Sequence, residues 1–141
     1  MNAQSTSTEA REGNDVCTGC ALPQRPSRLT GSTYKITTPL SEHALYLTIN
    51  DIETDGGRRP FEIFINSKSM DHFAWVVALT RVVSAVLRRE EDPTFLVEEL
   101  RAIFDPQGGY FKPGGRRMNS VVAEIGDCLE AHLQRLNGVG S

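Results

Sequence analysis

The chain has 141 residues, 39% of them hydrophobic and 23% charged, with a formal net charge of −3. That length suits one domain around a single core, and the acidic balance argues against a protein that coats nucleic acid by bulk electrostatics. No apolar run approaches the roughly 20 residues that span a bilayer and no basic-then-apolar leader is present, so the expectation is a cytoplasmic protein without membrane partners.

Residues 1–26 read as a disordered tail. They are rich in Ser, Thr, Glu, Gly and Asn and show no apolar periodicity. Inside the tail lie Cys17 and Cys20, a CxxC pair. Two thiols at this spacing can act as a dithiol couple or share a metal such as zinc. A tetrahedral site needs four ligands and the chain has no second pair, although Cys128 and His132 stand four residues apart on one helical face. The plainer reading keeps Cys128 as a small residue at the core edge and His132 as a polar residue near a helix end.

The folded part, residues 27–137, begins with a predicted strand over Thr33–Thr37, stopped by Pro39. Ala44–Asn50 is a second strand with Leu45, Leu47 and Ile49 on one face, and Asp51–Arg59 reads as a hairpin loop around Asp55-Gly56-Gly57. Phe61–Asn66 is the third, with Phe61, Ile63 and Ile65 alternating with Glu62, Phe64 and Asn66. Three strands with short links form an antiparallel meander. After a turn, Ser69 or Asp71 caps a long helix ending at Arg89. Its predicted buried face is Phe73, Val76, Val77, Thr80, Val83, Ser84 and Leu87. Leu79, Val82 and Val86 widen the apolar surface, and Trp75 lies off the centre of the stripe. So broad an apolar helix predicts a homodimer.

Asp92 then fits an N-cap and Pro93 a first helical position, opening a short helix over Thr94–Phe104 with Phe95, Leu96, Leu100 and Ile103 inward. Tyr110–Arg117, YFKPGGRR, reads as a loop. A last helix begins near Ser120, with Val121, Val122, Ile125, Leu129, Leu133 and Leu136 buried, and ends at Asn137-Gly138; residues 138–141 are a short tail. The order of elements predicts an α+β fold, a three-stranded antiparallel meander with three helices on one face.

The cations offer a second kind of site. Arg58, Arg59, Lys68, Arg81, Lys112, Arg116 and Arg117 fall in loops or on helix faces. A six-residue strand spans roughly 20 Å, so one small anion cannot reach Arg58/Arg59 and Lys68 at its two ends. The favoured phosphate or nucleotide site is therefore Lys112, Gly114, Gly115, Arg116 and Arg117, where glycine amides and a following helix N-terminus suit an anion. Solvated surface charge explains the same residues. No Walker loop is present, and His43, His72 and His132 are scattered without a nucleophile beside them.

Four stretches carry a resemblance: Gly31-Ser32-Thr33-Tyr34-Lys35-Ile36, the run Arg58–Arg89, Phe95-Leu96-Val97-Glu98-Glu99-Leu100, and Asp105–Glu124. They resemble the TSCPD domain over roughly residues 26–136. That domain is associated with the C-terminal part of adenosylcobalamin-dependent (class II) ribonucleotide reductases and also occurs in short stand-alone proteins, which this chain resembles. The resemblance implies an accessory or regulatory module in deoxyribonucleotide synthesis, binding the reductase large subunit, a nucleotide, or both. It implies adenosylcobalamin only for the large enzyme, and it carries no catalytic residue onto this chain. Ribonucleoside-diphosphate reductase activity would belong to the larger assembly. A stand-alone redox or metal module using Cys17 and Cys20, and a plain dimeric structural domain, remain alternative readings.

Overall fold

A computed structural model describes residues 24–68, 71 and 73–138. The Cys17/Cys20 pair, Ser69, His72 and the last three residues lie outside that set. The architecture is α+β. Strands β1 (Thr30–Ile36), β2 (Leu45–Thr54) and β3 (Gly57–Ser67) form an antiparallel sheet in the order β1-β2-β3. Helices α1 (Phe73–Arg89), α2 (Thr94–Arg101) and α3 (Val121–Leu136) follow. Between α2 and α3 a two-stranded ribbon, β4 (Tyr110–Phe111) and β5 (Arg117–Met118), makes a second sheet.

The sheet's inner face contributes Ile36, Leu47, Ile49 and Ile63 to the core. Val83 and Leu87 of α1, Leu96, Val97 and Leu100 of α2, and Ile125 and Leu129 of α3 close over it. Removing such surface from water, at about 25 cal/mol per Å², is the main term that holds the layers together. α1 packs on β3 and α2 packs on α3. Gly126 lets that second contact be close: a Cβ there would lie 3.0 Å from Leu100 Cβ and 3.2 Å from the Val97 carbonyl oxygen, tighter than ordinary van der Waals contact.

The free edge of β3 is closed by a helix side chain. Ser84 Oγ accepts from the Ile63 N–H at 3.0 Å and donates to the Ile63 carbonyl at 3.3 Å. An edge residue that would otherwise recruit another strand is thereby satisfied within the chain. Arg59 ties the same two elements at the helix end. Its guanidinium donates to the Leu87 carbonyl at 2.7 Å and to that of Glu90 at 2.9 Å, which are acceptors the last helical turn leaves open.

Several sequence expectations are corrected. The supposed loop at Asp51–Arg59 is mostly strand: β2 runs to Thr54 and β3 starts at Gly57, whose φ of +114° suits glycine. The stretch hides its strand character because its charges pair with one another, Glu53 standing opposite Arg58 in the register. YFKPGGRR is likewise a ribbon, with Tyr110 opposite Met118 and both buried. In α1 only Thr80, Val83, Ser84 and Leu87 are buried, while Phe73 and Val77 are exposed, because the packing against β3 engages the C-terminal half. α2 ends at Arg101 and buries Leu96, Val97 and Leu100, leaving Phe95 and Ile103 exposed. Pro93, not Asp92, holds its N-cap position, and Asp92 accepts from the Thr94 N–H instead.

Candidate functional site

The start of α3 is set by Ser120, whose Oγ accepts from the Ala123 N–H at 3.0 Å and donates to the Ile103 carbonyl at 2.7 Å. That cap fixes the helix N-terminus beside the end of α2 and the ribbon. A cleft of about 170 Å³ opens there, lined by Arg101, Arg116, Arg117, Asn119, Ala123 and Asp127, with Met118 behind them. Asp127 organises the cations. It accepts from Arg101 Nε at 2.7 Å and forms an ion pair with Arg116 Nη2 at 2.9 Å. Arg101 also pairs with Glu130. Three guanidiniums thus face two carboxylates, and the cleft keeps a positive surplus at a helix N-terminus, where an anion is favoured.

The five residues expected to form a phosphate site divide here. Arg116 and Arg117 line the cleft, and Arg117 also lies over the Phe111 ring, 5.8 Å from its centroid. Gly114 and Gly115 make the ribbon's turn with φ of +99° and +89°, and the Gly115 N–H donates to the Lys112 carbonyl. Lys112 pairs with Glu124, which is 2% exposed and also accepts from the Tyr110 hydroxyl. Burial, and then this bond to Glu124, push the Tyr110 phenol well above its usual range. Arg101 joins the set from α2, a cation that sequence spacing alone leaves unconnected to the ribbon.

The other cations are placed elsewhere. Arg58 lies 3.5 Å from Asp51 and 3.9 Å from Glu53. Arg59 caps α1 as described, and Arg81 lines a separate cleft of about 220 Å³ with Phe64 and Arg88.

A buried relay joins α3 to the sheet, and the sequence reading missed it. His132 is 2% exposed; its Nδ1 lies 2.7 Å from the Tyr34 hydroxyl and its Nε2 lies 2.7 Å from Asp51 Oδ1. A carboxylate can only accept, so Nε2 carries the proton, and in the neutral ring Nδ1 accepts from Tyr34. Asp51 continues the inward alternation of Leu47 and Ile49 along β2, and beside it β3 carries a bulge: Asn50 stands opposite Glu62 but Asp51 opposite Pro60, leaving Phe61 as the extra residue. Asp51 and Arg58 also line a cleft of about 330 Å³ with Arg28 and Thr30. One signal was available, since His132 falls on the Ile125/Leu129/Leu136 stripe at helical spacing.

Both ring nitrogens of His132 are therefore engaged by protein groups, Tyr34 and Asp51. Burial, and then the Glu124 carboxylate, push the Cys128 thiol up to about 11, which disfavours the thiolate a nucleophile needs. Among the described residues no group of three or more His, Cys, Asp or Glu is arranged to hold a metal ion, and no helix is long and apolar enough to cross a membrane.

The TSCPD domain model matches residues 12–133. The chain belongs to the TSCPD domain family. That membership links it, at family level, to ribonucleotide-reductase-related proteins. No curated protein and no solved structure matches it. The matched span of the TSCPD domain begins ahead of β1 and takes in Cys17 and Cys20. It also takes in Arg25, whose guanidinium makes two 2.9 Å bonds to the buried Glu62 on the sheet's outer face.

Proposed function

We propose that this TSCPD domain is an accessory or regulatory module of a class II ribonucleotide reductase, docking on the large subunit and taking a nucleotide by its phosphates at the Arg101–Arg116–Arg117 cleft. The family match over residues 12–133 carries the reading. The positive surplus at the α3 N-terminus supports the nucleotide part, since phosphate is the anion that guanidinium forks and helix N-termini recognise together. Adenosylcobalamin belongs to the large enzyme in this reading. The clefts described here, about 330, 220 and 170 Å³, lie at or below the low end of small-molecule pockets. They do not fit a corrinoid, so no step through it is assigned to this chain.

Titration calorimetry with nucleoside di- and triphosphates tests the cleft. Wild type is expected to bind at low salt and Arg116→Ala/Arg117→Ala to bind about 10-fold or more weakly, given charge-assisted bonds of about 1.5–3 kcal/mol discounted for solvent exposure. No binding at millimolar nucleotide would remove the nucleotide part. Zinc or a dithiol couple at Cys17 and Cys20 is the second reading, favoured by the family match taking in both residues. Metal analysis and thiol titration of purified protein decide it.

A further inference from the structure

We infer that Phe111 is the base platform of the nucleotide cleft: the planar base stacks on its ring, and Arg117, which in the free chain lies over that ring, turns its guanidinium to the phosphates. This role rests on the phosphate cleft proposed above and supplies the part of the ligand that the cleft does not hold. The ribbon sets the geometry. β4 and β5 are joined by a tight turn, the Lys112 N–H donating to the Arg116 carbonyl at 2.7 Å and Gly114 and Gly115 taking positive φ. In so short a hairpin the strand alternation decides which side chains face inward. Tyr110 and Met118 stand opposite one another and are buried. Phe111 and Arg117 are the other cross-strand pair, so they share the outer face, and Phe111 is 64% exposed. Tyr110 pins the ribbon from the inside, its hydroxyl donating to the buried Glu124. Phe111 is thus an apolar ring held out in water by a backbone that is itself fixed.

Arg117 links that ring to the cleft. It lines the cleft, and its Cζ lies 5.8 Å from the Phe111 centroid. Of the three guanidiniums there, it is the one without a carboxylate partner among the described residues. Arg101 pairs with Asp127 and Glu130, and Arg116 pairs with Asp127. A guanidinium over a solvent-exposed ring is held weakly, whereas a phosphate offers it charge-assisted, bidentate bonds. Arg117 is therefore the cation that an arriving phosphate recruits at least cost.

The ring face that Arg117 leaves is flat, apolar and one side chain away from the anion site. Nucleobases stack on such faces whatever their identity, because each carries a π surface. A ligand that uses both features must join an anion to a planar aromatic ring by a short tether, which describes a nucleoside phosphate. A single nucleotide fits better than a strand: the cleft gathers three cations in a chain of net charge −3, and a strand needs a cationic track along its backbone. Phe104, 67% exposed beyond the end of α2, has no cation over its ring among the described residues and is not assigned this role.

Titration calorimetry of the full chain with adenosine triphosphate and with methyl triphosphate tests the platform, since both carry the same esterified triphosphate and only one carries a base. Wild type is expected to bind adenosine triphosphate about 10-fold more tightly than methyl triphosphate, the gain of one stacked base. Phe111→Ala should lower adenosine triphosphate to the level of methyl triphosphate and leave methyl triphosphate unchanged, which also shows that the fold and the cleft survive the substitution. Phe111→Trp, which keeps a stacking face, should bind adenosine triphosphate as wild type does or more tightly. Equal binding of the two probes by wild type overturns the platform and leaves the phosphate cleft standing. So does a Phe111→Ala chain that binds adenosine triphosphate as wild type does. If Phe111→Ala weakens both probes alike, the ring only places Arg117 and the platform is again overturned. If wild type binds neither probe, the phosphate cleft itself fails and the platform falls with it.

Discussion

Asp51 is the residue whose loss should discriminate most sharply between a structural relay and incidental burial. Asp51→Ala removes the acceptor of the His132 Nε2–H, 2.7 Å away in a site where His132 is 2% exposed. A buried donor left without a partner costs about 1–3 kcal/mol. The partly exposed Arg58 contact, at 3.5 Å, adds little. The total of about 1–3 kcal/mol corresponds to roughly 4–12 °C of melting temperature for a domain of this size. Asp51→Asn keeps a carbonyl oxygen for the same N–H and should cost about 1 kcal/mol. Thermal melts by circular dichroism measure both variants. A double-mutant cycle with His132→Ala should return a coupling of about 1–2 kcal/mol, as contacting residues do. If Asp51→Ala and Asp51→Asn destabilise equally, the acceptor is not what matters. If neither moves the melt by more than about 2 °C, the relay does not hold α3 to the sheet.

Two further outcomes follow from perturbed groups. Cys128, its thiol pushed up to about 11, should react with iodoacetamide at pH 8 about 100-fold more slowly than a free thiol of pKa near 8.5, measured in the Cys17→Ser/Cys20→Ser chain; a rate near that of glutathione would contradict its burial. Arg25, and next Asn50, hold the Glu62 carboxyl below its ordinary value of 4.5 against the opposing effect of burial. A depressed carboxyl stabilises above its unfolded value and loses that contribution as pH falls through the folded one. The melting difference between wild type and Arg25→Gln should thus be full at pH 6–7 and shrink below about 4.5; a difference constant with pH would show that Glu62 titrates alike in both chains.

The sheet was legible because Leu45/Leu47/Ile49 and Phe61/Ile63/Ile65 alternate cleanly, and the cap at Ser120 because serine precedes a periodic apolar run. The hairpin arm was not, since Asp51, Glu53, Arg58 and Arg59 look like loop residues until their cross-strand and helix-end partners are known. The ribbon failed for a related reason: two strands of two residues each are too short to show a period. In α1, sequence showed two apolar flanks but not which of them the sheet takes. Arg116 and Arg117 were readable as a cationic pair. Arg101 and the Asp127 that binds it and Arg116 come together only through packing of α2 on α3, and Asp51 meets His132 across a sequence separation of 81 residues.

The proposed role on a class II ribonucleotide reductase requires that this TSCPD domain bind the large subunit. The most direct test mixes the purified chain with the purified large subunit from the same cell and follows sedimentation with and without nucleoside triphosphate. A complex of fixed stoichiometry with micromolar or tighter affinity is expected. Independent sedimentation of the two proteins at tens of micromolar, under every nucleotide condition, would contradict it.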